Sequence, residues 1–156
     1  MGMFTELNIA CQIKPVMEVI RMLDKMTSTT YYHLSDMILD REPFNHPFFK
    51  TQKWKEMLRS DSLYFSGRAD SHVFVQKFRD CDPVYSLNVR CNLKNYDDEV
   101  ELFLDWLKPY ILTEGFLGYS RYEEDQWPTL LFMENGELKS YTHNKDKERS
   151  WRKWRS

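Results

Sequence analysis

Two stretches of the chain alternate between apolar and polar residues. In the first, FTELNIACQI, every second position from residue 7 onward is apolar: Leu7, Ile9, Cys11 and Ile13. The polar positions between them include Glu6, Asn8 and Gln12. VYSLNVRCNL repeats the pattern over residues 84–93. Successive side chains of a strand point to opposite faces, so each stretch predicts a strand with one buried and one polar face.

Two further stretches place apolar residues at helical spacing. Over residues 15–26 these are Val16, Val19, Ile20, Leu23 and Met26. Pro15 suits the first turn of such a helix. In NYDDEVELFLDWLKPY the apolar stripe consists of Val100, Phe103, Leu104 and Leu107. Asn95 or Asp97 can cap this second helix, acidic residues follow in its first turn, and Pro109 is expected to end it.

Other segments predict further strands. PTLLFME and ELKSYTH flank Asn135 and Gly136, and Asn-Gly favours a type I′ turn, so they predict a hairpin. GFLGYSRYEE is also typical of a strand, and SLYFSG and HVFVQKF indicate one bent strand or a hairpin around GRAD. The intervening residues 27–61 predict an insertion that packs aromatic residues over the core. Within it, TQKWKEMLRS is predicted to be a short helix.

This order of elements predicts an α+β protein with a ferredoxin-like β-α-β-β-α-β core, in which helices cover one face of a mainly antiparallel sheet. The C-terminal hairpin is expected to extend the sheet or to fold over its edge. No internal repeat or linker indicates a second domain, so residues 1–156 are predicted to form a single α+β domain. Residues 145–156 form a basic tail that is predicted to be helical or frayed.

The amino-acid composition excludes only a few classes of protein and partner. The 156 residues are 42% hydrophobic and 15% aromatic, and the formal net charge is −2. This charge gives no electrostatic reason to expect a nucleic-acid or membrane partner, and no apolar run approaches the roughly 20 residues that cross a bilayer. Cys11, Cys81 and Cys91 are widely spaced and odd in number, which predicts a reduced, cytoplasmic protein.

Three segments resemble known proteins. WPTLLFMENGEL resembles the thioredoxin segment whose proline is cis, which makes Trp127–Pro128 a candidate cis bond. The chain lacks the Cys-x-x-Cys pair of thioredoxins, so we do not expect their activity. GFLGYSRY is similar to the aromatic strand of RNA-recognition domains, but its glycines are one residue too far apart and it follows the second helix. The C-terminal half is loosely similar to small uncharacterised proteins of bacteria and phages, which implies no activity.

Motifs for metal binding or catalysis are not found in the sequence. The histidines, His33, His46, His72 and His143, show no metal-ligand spacing. Patterns for a nucleophile elbow, a phosphate-binding loop or a dinucleotide site are missing as well. We therefore predict no catalytic residue, no metal and no cofactor. His46, which precedes a proline in an aromatic segment, is interpreted as a structural or surface residue.

The polar face of the two alternating strands is the first candidate binding site. Arg90 and Asn92 share this face with Glu6, Asn8 and Gln12. If the helices cover the other face, these side chains line an open sheet face. Such a face is available to a ligand, to a second subunit or to water.

The segment RYEEDQW is the second candidate. Arg121, Glu123 and Trp127 lie at a predicted strand end and are typical of a recognition loop or an acid/base pair. A solvated loop with an internal Arg–carboxylate pair is the simpler interpretation.

The tail is the third candidate, because WRKWR interleaves cations with the rings of Trp151 and Trp154. With Arg152 these residues can bind phosphates and stack on bases. Docking of one helical face onto the body, or fraying, is the favoured interpretation.

Together these observations predict a protein-interaction or ligand-binding module without catalysis. The high aromatic content favours a protein partner, in the simplest case a second copy that forms a homodimer through a sheet edge or the open face. One alternative is a small enzyme whose site is built around the open face and the Arg121–Trp127 loop. A second alternative is nucleic-acid binding through the basic aromatic tail.

Overall fold

The computed structural model describes residues 4–28, 40–62, 68–143 and 151–155. The strands and α-helices are β1 (Phe4–Ile13), α1 (Met17–Thr27), β2 (His72–Gln76), β3 (Val84–Lys94), α2 (Glu99–Leu107), β4 (Gly115–Tyr122), β5 (Thr129–Glu134), β6 (Glu137–His143) and β7 (Trp151–Arg155). Short 3₁₀-helices cover Pro47–Lys50, Met57–Arg59 and Lys108–Tyr110. This content confirms the predicted α+β class. None of the described helices is long and apolar enough to cross a membrane.

The seven strands form one antiparallel sheet in the order β2-β3-β1-β4-β5-β6-β7. In its centre, Ile9 of β1 lies opposite Val89 of β3 and opposite Gly118 of β4. The hairpin around Asn135 and Gly136 is formed as predicted, and both turn residues have the positive φ angles of a type I′ turn. Because β5 pairs with β4, the hairpin extends the sheet.

One face of the sheet is buried. The apolar alternates of β1 and β3 are at most 6% exposed: Leu7, Ile9, Cys11, Ile13, Leu87, Val89, Cys91 and Leu93. They share one core cluster with the apolar stripes of α1 and α2. A strand turns alternate side chains to opposite faces, so burying this set leaves the other set on the far side. We call that far side, opposite the helices, the open face.

The described part of the predicted insertion packs aromatic rings against α2. The ring centroids of Phe48 and Phe49 lie 6.2 and 5.0 Å from that of Trp106. Two further buried rings of this segment are Phe44 and Trp54. The segment thus closes the core on the side of α2. The YYHLSDMIL stretch of the insertion lies wholly outside the described residues, and most of SLYFSG does as well.

Two local predictions are wrong, and one candidate feature is not observed. TQKWKEMLRS contains only the 3₁₀-helix Met57–Arg59, because its backbone hydrogen bonds span three residues rather than four. The tail is not helical over Trp151–Arg155, since this segment pairs with β6 as an extended strand; the rest of the tail lies outside the described residues. The Trp127–Pro128 bond is trans, and the described chain has its cis bond at Glu42–Pro43.

Candidate ligand-binding groove on the open sheet face

Cross-strand pairing brings polar side chains of three strands into one row on the open face. Asn8 of β1 lies opposite Arg90 of β3 and opposite Tyr119 of β4. Directly opposed residues of antiparallel strands lie about 4.5–5.5 Å apart, so the row spans roughly 10 Å. One small ligand can therefore reach all three side chains.

A shallow groove of about 460 Å³, largely open to solvent, crosses the open face at this row. On the β3 side its wall is polar and consists of Asp70, Asn88 and Arg90. On the β4 side its wall is aromatic and consists of Phe116 and Tyr119. The two walls stand on either side of the central strand β1, and the groove therefore offers a polar and an apolar surface to the same occupant.

Small residues keep the floor of the groove low. Ala10 presents only a methyl group, and Gly118 presents no side chain. The pairing register of β4 shifts between Phe116 and Gly118, and Gly118 has a φ angle of +148°. A Cβ atom built there would lie 1.9 Å from the carbonyl oxygen of Asn8. The close approach of β4 to β1 thus requires glycine at this position.

Two hydrogen bonds hold the backbone of Arg90 in place, and its side chain is available to a ligand. Its N–H donates to Oγ of Ser71 at 3.2 Å, and its carbonyl accepts from N–H of Asp70 at 2.7 Å. The side chain is exposed. Within the described residues no hydrogen bond or ion pair engages its guanidinium. The polar wall therefore carries an unpaired positive charge.

Tyr119 is oriented by a neighbour in the same row. The Nδ2 group of Asn8 donates to its hydroxyl oxygen at 3.0 Å. Burial raises the pKa of Tyr119, as does the negative charge of Glu6, while the positive charges of Arg121 and Arg90 act in the opposite direction. The phenol is consequently protonated at neutral pH. Because its oxygen already accepts from Asn8, its own proton remains to be donated to a ligand.

Asp70 and His72 form a contact at the rim of the groove. The Nε2 atom of His72 contacts the Oδ1 atom of Asp70, and both side chains are more than half exposed. His72 lies opposite Asn88 in the β2–β3 pairing, which places it beside the polar wall. Asp70 was not predicted from the sequence to be a site residue. The alternation in HVFVQ indicates which face His72 occupies, but it does not show that residue 70 continues along β3.

Arg121, predicted as a recognition residue, belongs to β4 and is paired. Its Nε group donates to Oε1 of Glu6 at 3.1 Å, and both side chains are only partly exposed. This pair joins β4 to β1, whereas the sequence indicated a pair within the loop. This pair lies one row beyond the groove, because Glu6 and Arg121 are two residues away from Asn8 and Tyr119 on their strands.

Glu123 and Trp127 do not line the groove. Oε1 of Glu123 accepts from N–H of Phe4 at 3.1 Å, and the backbone N–H of Glu123 donates to the Phe4 carbonyl at 2.9 Å. Glu123 thus secures the start of β1. The half-exposed ring of Trp127 stacks on His143 with a centroid separation of 4.7 Å. The interpretation of this loop as an acid/base pair stays a prediction.

Asn92 was expected on the exposed polar face, and this is wrong. It is only 3% exposed. Its backbone N–H donates to the carbonyl of Ser60 at 2.9 Å, so the end of the 40–62 segment lies against β3 at this position. Gln12, also expected on the open face, is exposed but is not part of the groove lining.

The three tail residues lie on β7, at the far edge of the sheet. Trp151 pairs with His143, and Arg152 pairs with Thr142 of β6; Trp154 belongs to the same strand. β5 and β6 separate β7 from β4, which corresponds to about 14 Å between β4 and β7 at the usual strand spacing. The tail and the groove are therefore separate candidate sites.

The described residues contain no group of three or more His, Cys, Asp or Glu side chains able to hold a metal ion. The groove instead offers a guanidinium, side-chain amides, a phenol and an exposed ring. Comparison with protein-family models, with curated proteins and with solved structures finds no match to this chain.

Proposed function

We propose that this protein is a binding module without catalysis and that its binding surface is the open face. One observation supports this most strongly: the groove joins an unpaired guanidinium, side-chain amides and an aromatic wall on three adjacent strands. Ligand sites are typically concave and combine apolar walls with a few convergent polar groups. The hydrogen bond between Asn8 and Tyr119 orients two of these groups before a ligand arrives.

The proposal includes a ferredoxin-like core. Its support is the succession β2-β3-β1-β4 in the sheet, with antiparallel neighbours throughout, and the position of α1 after β1 and of α2 after β3 in the chain. In this view β5, β6 and β7 are additions at the β4 edge. Among the described residues no helix covers the face of the sheet opposite α1 and α2, and this face carries the groove.

Fragment screening by NMR on ¹⁵N-labelled protein tests the binding proposal. We expect bound fragments to shift the side-chain amide signals of Asn8 and Asn88. The amide of Asn95 serves as an internal reference, because it donates to Glu101 at 2.8 Å near the start of α2. A library that leaves Asn8 and Asn88 unperturbed, or that shifts Asn95 equally, would contradict a site on the open face.

A small enzyme is the second candidate, and the contact between Asp70 and His72 favours it. A carboxylate that orients a histidine ring is a common arrangement for a general base. Any ligand that binds the groove can be followed by NMR for chemical change, with wild type and with the His72→Gln variant. Conversion that stops in the variant while binding persists supports the enzyme; an unchanged ligand supports the non-catalytic module.

We also propose a protein partner or a second copy at the edge strand β2. Phe74 and Val75 on this strand are 46% and 48% exposed, and among the described strands β2 pairs only with β3. An unpaired strand edge with apolar side chains favours pairing with another chain. Sedimentation should reveal a dimer that Phe74→Ser weakens and that Leu112→Ser, at another exposed apolar position, leaves intact. A strict monomer at high concentration removes the homodimer.

A reduced, cytoplasmic location completes the proposal. Its support is that the three cysteines, Cys11, Cys81 and Cys91, are free thiols, as is usual in reducing compartments. Fractionation of the native host tests it, and recovery of the protein from an oxidising compartment would contradict it.

A further inference from the structure

The two walls of the groove differ in chemistry and stand a short distance apart. Arg90 lies on β3, Tyr119 lies on β4, and β1 separates them. Two strand spacings correspond to about 9–10 Å between the backbones of the walls. This distance suits an occupant about as wide as one ring with one charged substituent.

We propose that the groove binds a small molecule in which an aromatic or heteroaromatic ring carries a carboxylate or phosphate group. This inference rests on the proposed binding function. The anionic group binds the guanidinium of Arg90, and the ring packs against Phe116 and Tyr119. Asn88 and the Tyr119 hydroxyl supply further hydrogen bonds to the polar substituents of the ring.

The distribution of charge around the groove favours an anion. Two carboxylates of the open face are each engaged by another residue: Asp70 contacts His72, and Glu6 accepts from Arg121. Arg90 is the charged group of the groove lining for which the described residues provide no partner. A guanidinium matches the geometry of carboxylate and phosphate oxygens and forms charge-assisted hydrogen bonds with them.

The aromatic wall favours a ring. Phe116 lines the groove and is 55% exposed, so a large apolar surface is available to an occupant. Its ring packs edge-on against Phe132 with a centroid separation of 5.3 Å, which holds it in place. Because Ala10 and Gly118 leave the floor low, a flat group can descend between the walls and contact this ring.

Calorimetric titration with simple probes tests the ligand class. Phenyl phosphate and benzoate contain the ring and the anion, inorganic phosphate and acetate contain the anion alone, and phenol contains the ring alone. We expect at least one of the first two to bind ten times more tightly than either of its halves. The tighter of phenyl phosphate and benzoate identifies the anionic group.

Four variants test which residues bind the preferred probe. Arg90→Gln should lower the affinity for the preferred probe at least tenfold, and Arg90→Lys should lower it less. Arg21→Gln, at an exposed position of α1, is the matched control and should leave the affinity unchanged. Phe116→Ala should weaken binding of the ring-bearing probe without affecting that of its anion alone. Retained melting temperatures show that the variants are folded.

Several outcomes would overturn the inference. Equal affinity of wild type and Arg90→Gln excludes the assigned anion site. If no probe binds but other fragments shift Asn8 and Asn88, the ligand class is wrong while the binding function stands; if nothing shifts these signals, both fail. A third outcome is that only single-stranded oligonucleotides bind and that their affinity depends steeply on salt. If Arg152→Gln lowers this affinity and Arg90→Gln does not, the tail is a nucleic-acid site and the small-molecule inference is wrong.

Discussion

The Nε2 atom of His46 lies 2.7 Å from the Oδ2 atom of Asp105, and this contact ties the 40–62 segment to α2. The other ring nitrogen, Nδ1, accepts from N–H of Phe48 at 3.1 Å and so caps a 3₁₀-helix. Nδ1 therefore acts as an acceptor, and Nε2 carries the proton that is donated to Asp105. Lys108 Nζ lies 2.7 Å from the second carboxylate oxygen. His46 has a structural role here, in line with its interpretation from the sequence.

Replacing Asp105 by Asn should destabilise the protein at neutral pH. Hydrogen bonds from Lys108 and then from His46 lower the pKa of Asp105 in the folded state. A depressed folded-state pKa contributes stability above the unfolded pKa of about 3.9, and this stability is lost as the pH falls through the folded value. Because the carboxylate is half exposed, water screens it, and we expect a loss of about 0.2–1 kcal/mol.

Urea unfolding of Asp105→Asn at a series of pH values measures this effect. The difference from wild type should be constant near neutral pH and shrink between about pH 5 and pH 2. Asp24→Asn, on the exposed face of α1, is the control and should show no such trend. A difference that grows on acidification would show that the carboxylate is not stabilised by its neighbours.

The α+β class and the buried face of the sheet could be predicted because they follow from periodicity. The alternation that places Leu7 and Ile9 on one face of β1 is a property of any strand, and burial of that set exposes Asn8 on the other face. The turn at Asn135 and Gly136 could be predicted for an equally local reason, because few other residue pairs adopt two successive positive φ angles.

The groove could be predicted only in part. Arg90 and Asn8 were expected on an open face, since alternation alone determines this. The aromatic wall depends on the register shift between Phe116 and Gly118, which re-aims a side chain in a way that alternation does not indicate. The burial of Asn92 depends on Ser60, which is more than thirty residues away in the chain. Contacts of this kind arise from the tertiary fold and have no local signature.

Ionisation of Glu99 should lower the stability of the protein as the pH rises. It is 1% exposed; its Oε1 atom accepts from N–H of Asp97 at 2.7 Å, and its Oε2 atom has no partner among the described residues. Burial raises its pKa in the folded state. A raised folded-state pKa contributes stability below the unfolded pKa of about 4.3, and this contribution is lost as the pH rises through the folded value.

Glu99→Gln replaces the ionisable carboxyl by a neutral amide and should therefore remove this pH dependence. We expect the melting temperature of the variant to rise relative to that of wild type, by a few degrees, as the pH increases from the unfolded pKa of about 4.3 towards neutral. Differential scanning fluorimetry across this range measures the change, with Glu18→Gln on the exposed side of α1 as the control. A pH-independent difference would mean that the carboxyl is charged to the same extent in both states.

The three cysteines should differ sharply in reactivity. Cys11 and Cys91 are buried, and burial raises the pKa of each thiol to about 12, whereas Cys81 is exposed. At pH 8 a thiol of pKa 12 is ionised to only about one part in ten thousand, and the thiolate is the reactive form. A disulfide reagent should therefore label one thiol in the native protein and three after unfolding. Cys81→Ser should abolish the native reaction; a second rapidly labelled thiol would contradict the burial.

Comparing alanine substitutions at Gly118 and Gly115 separates the effect of backbone strain from that of a steric clash. Both have positive φ angles, of +148° and +95°, so alanine at either position is strained by about 1–3 kcal/mol. Only at Gly118 would the new Cβ atom collide, 1.9 Å from the carbonyl oxygen of Asn8; at Gly115 it meets nothing within 4 Å. Urea unfolding should show Gly118→Ala to be clearly less stable than Gly115→Ala, because β4 must move away from β1. If the two variants were equally stable, the close approach of these strands would not depend on glycine, and neither would the low floor of the groove.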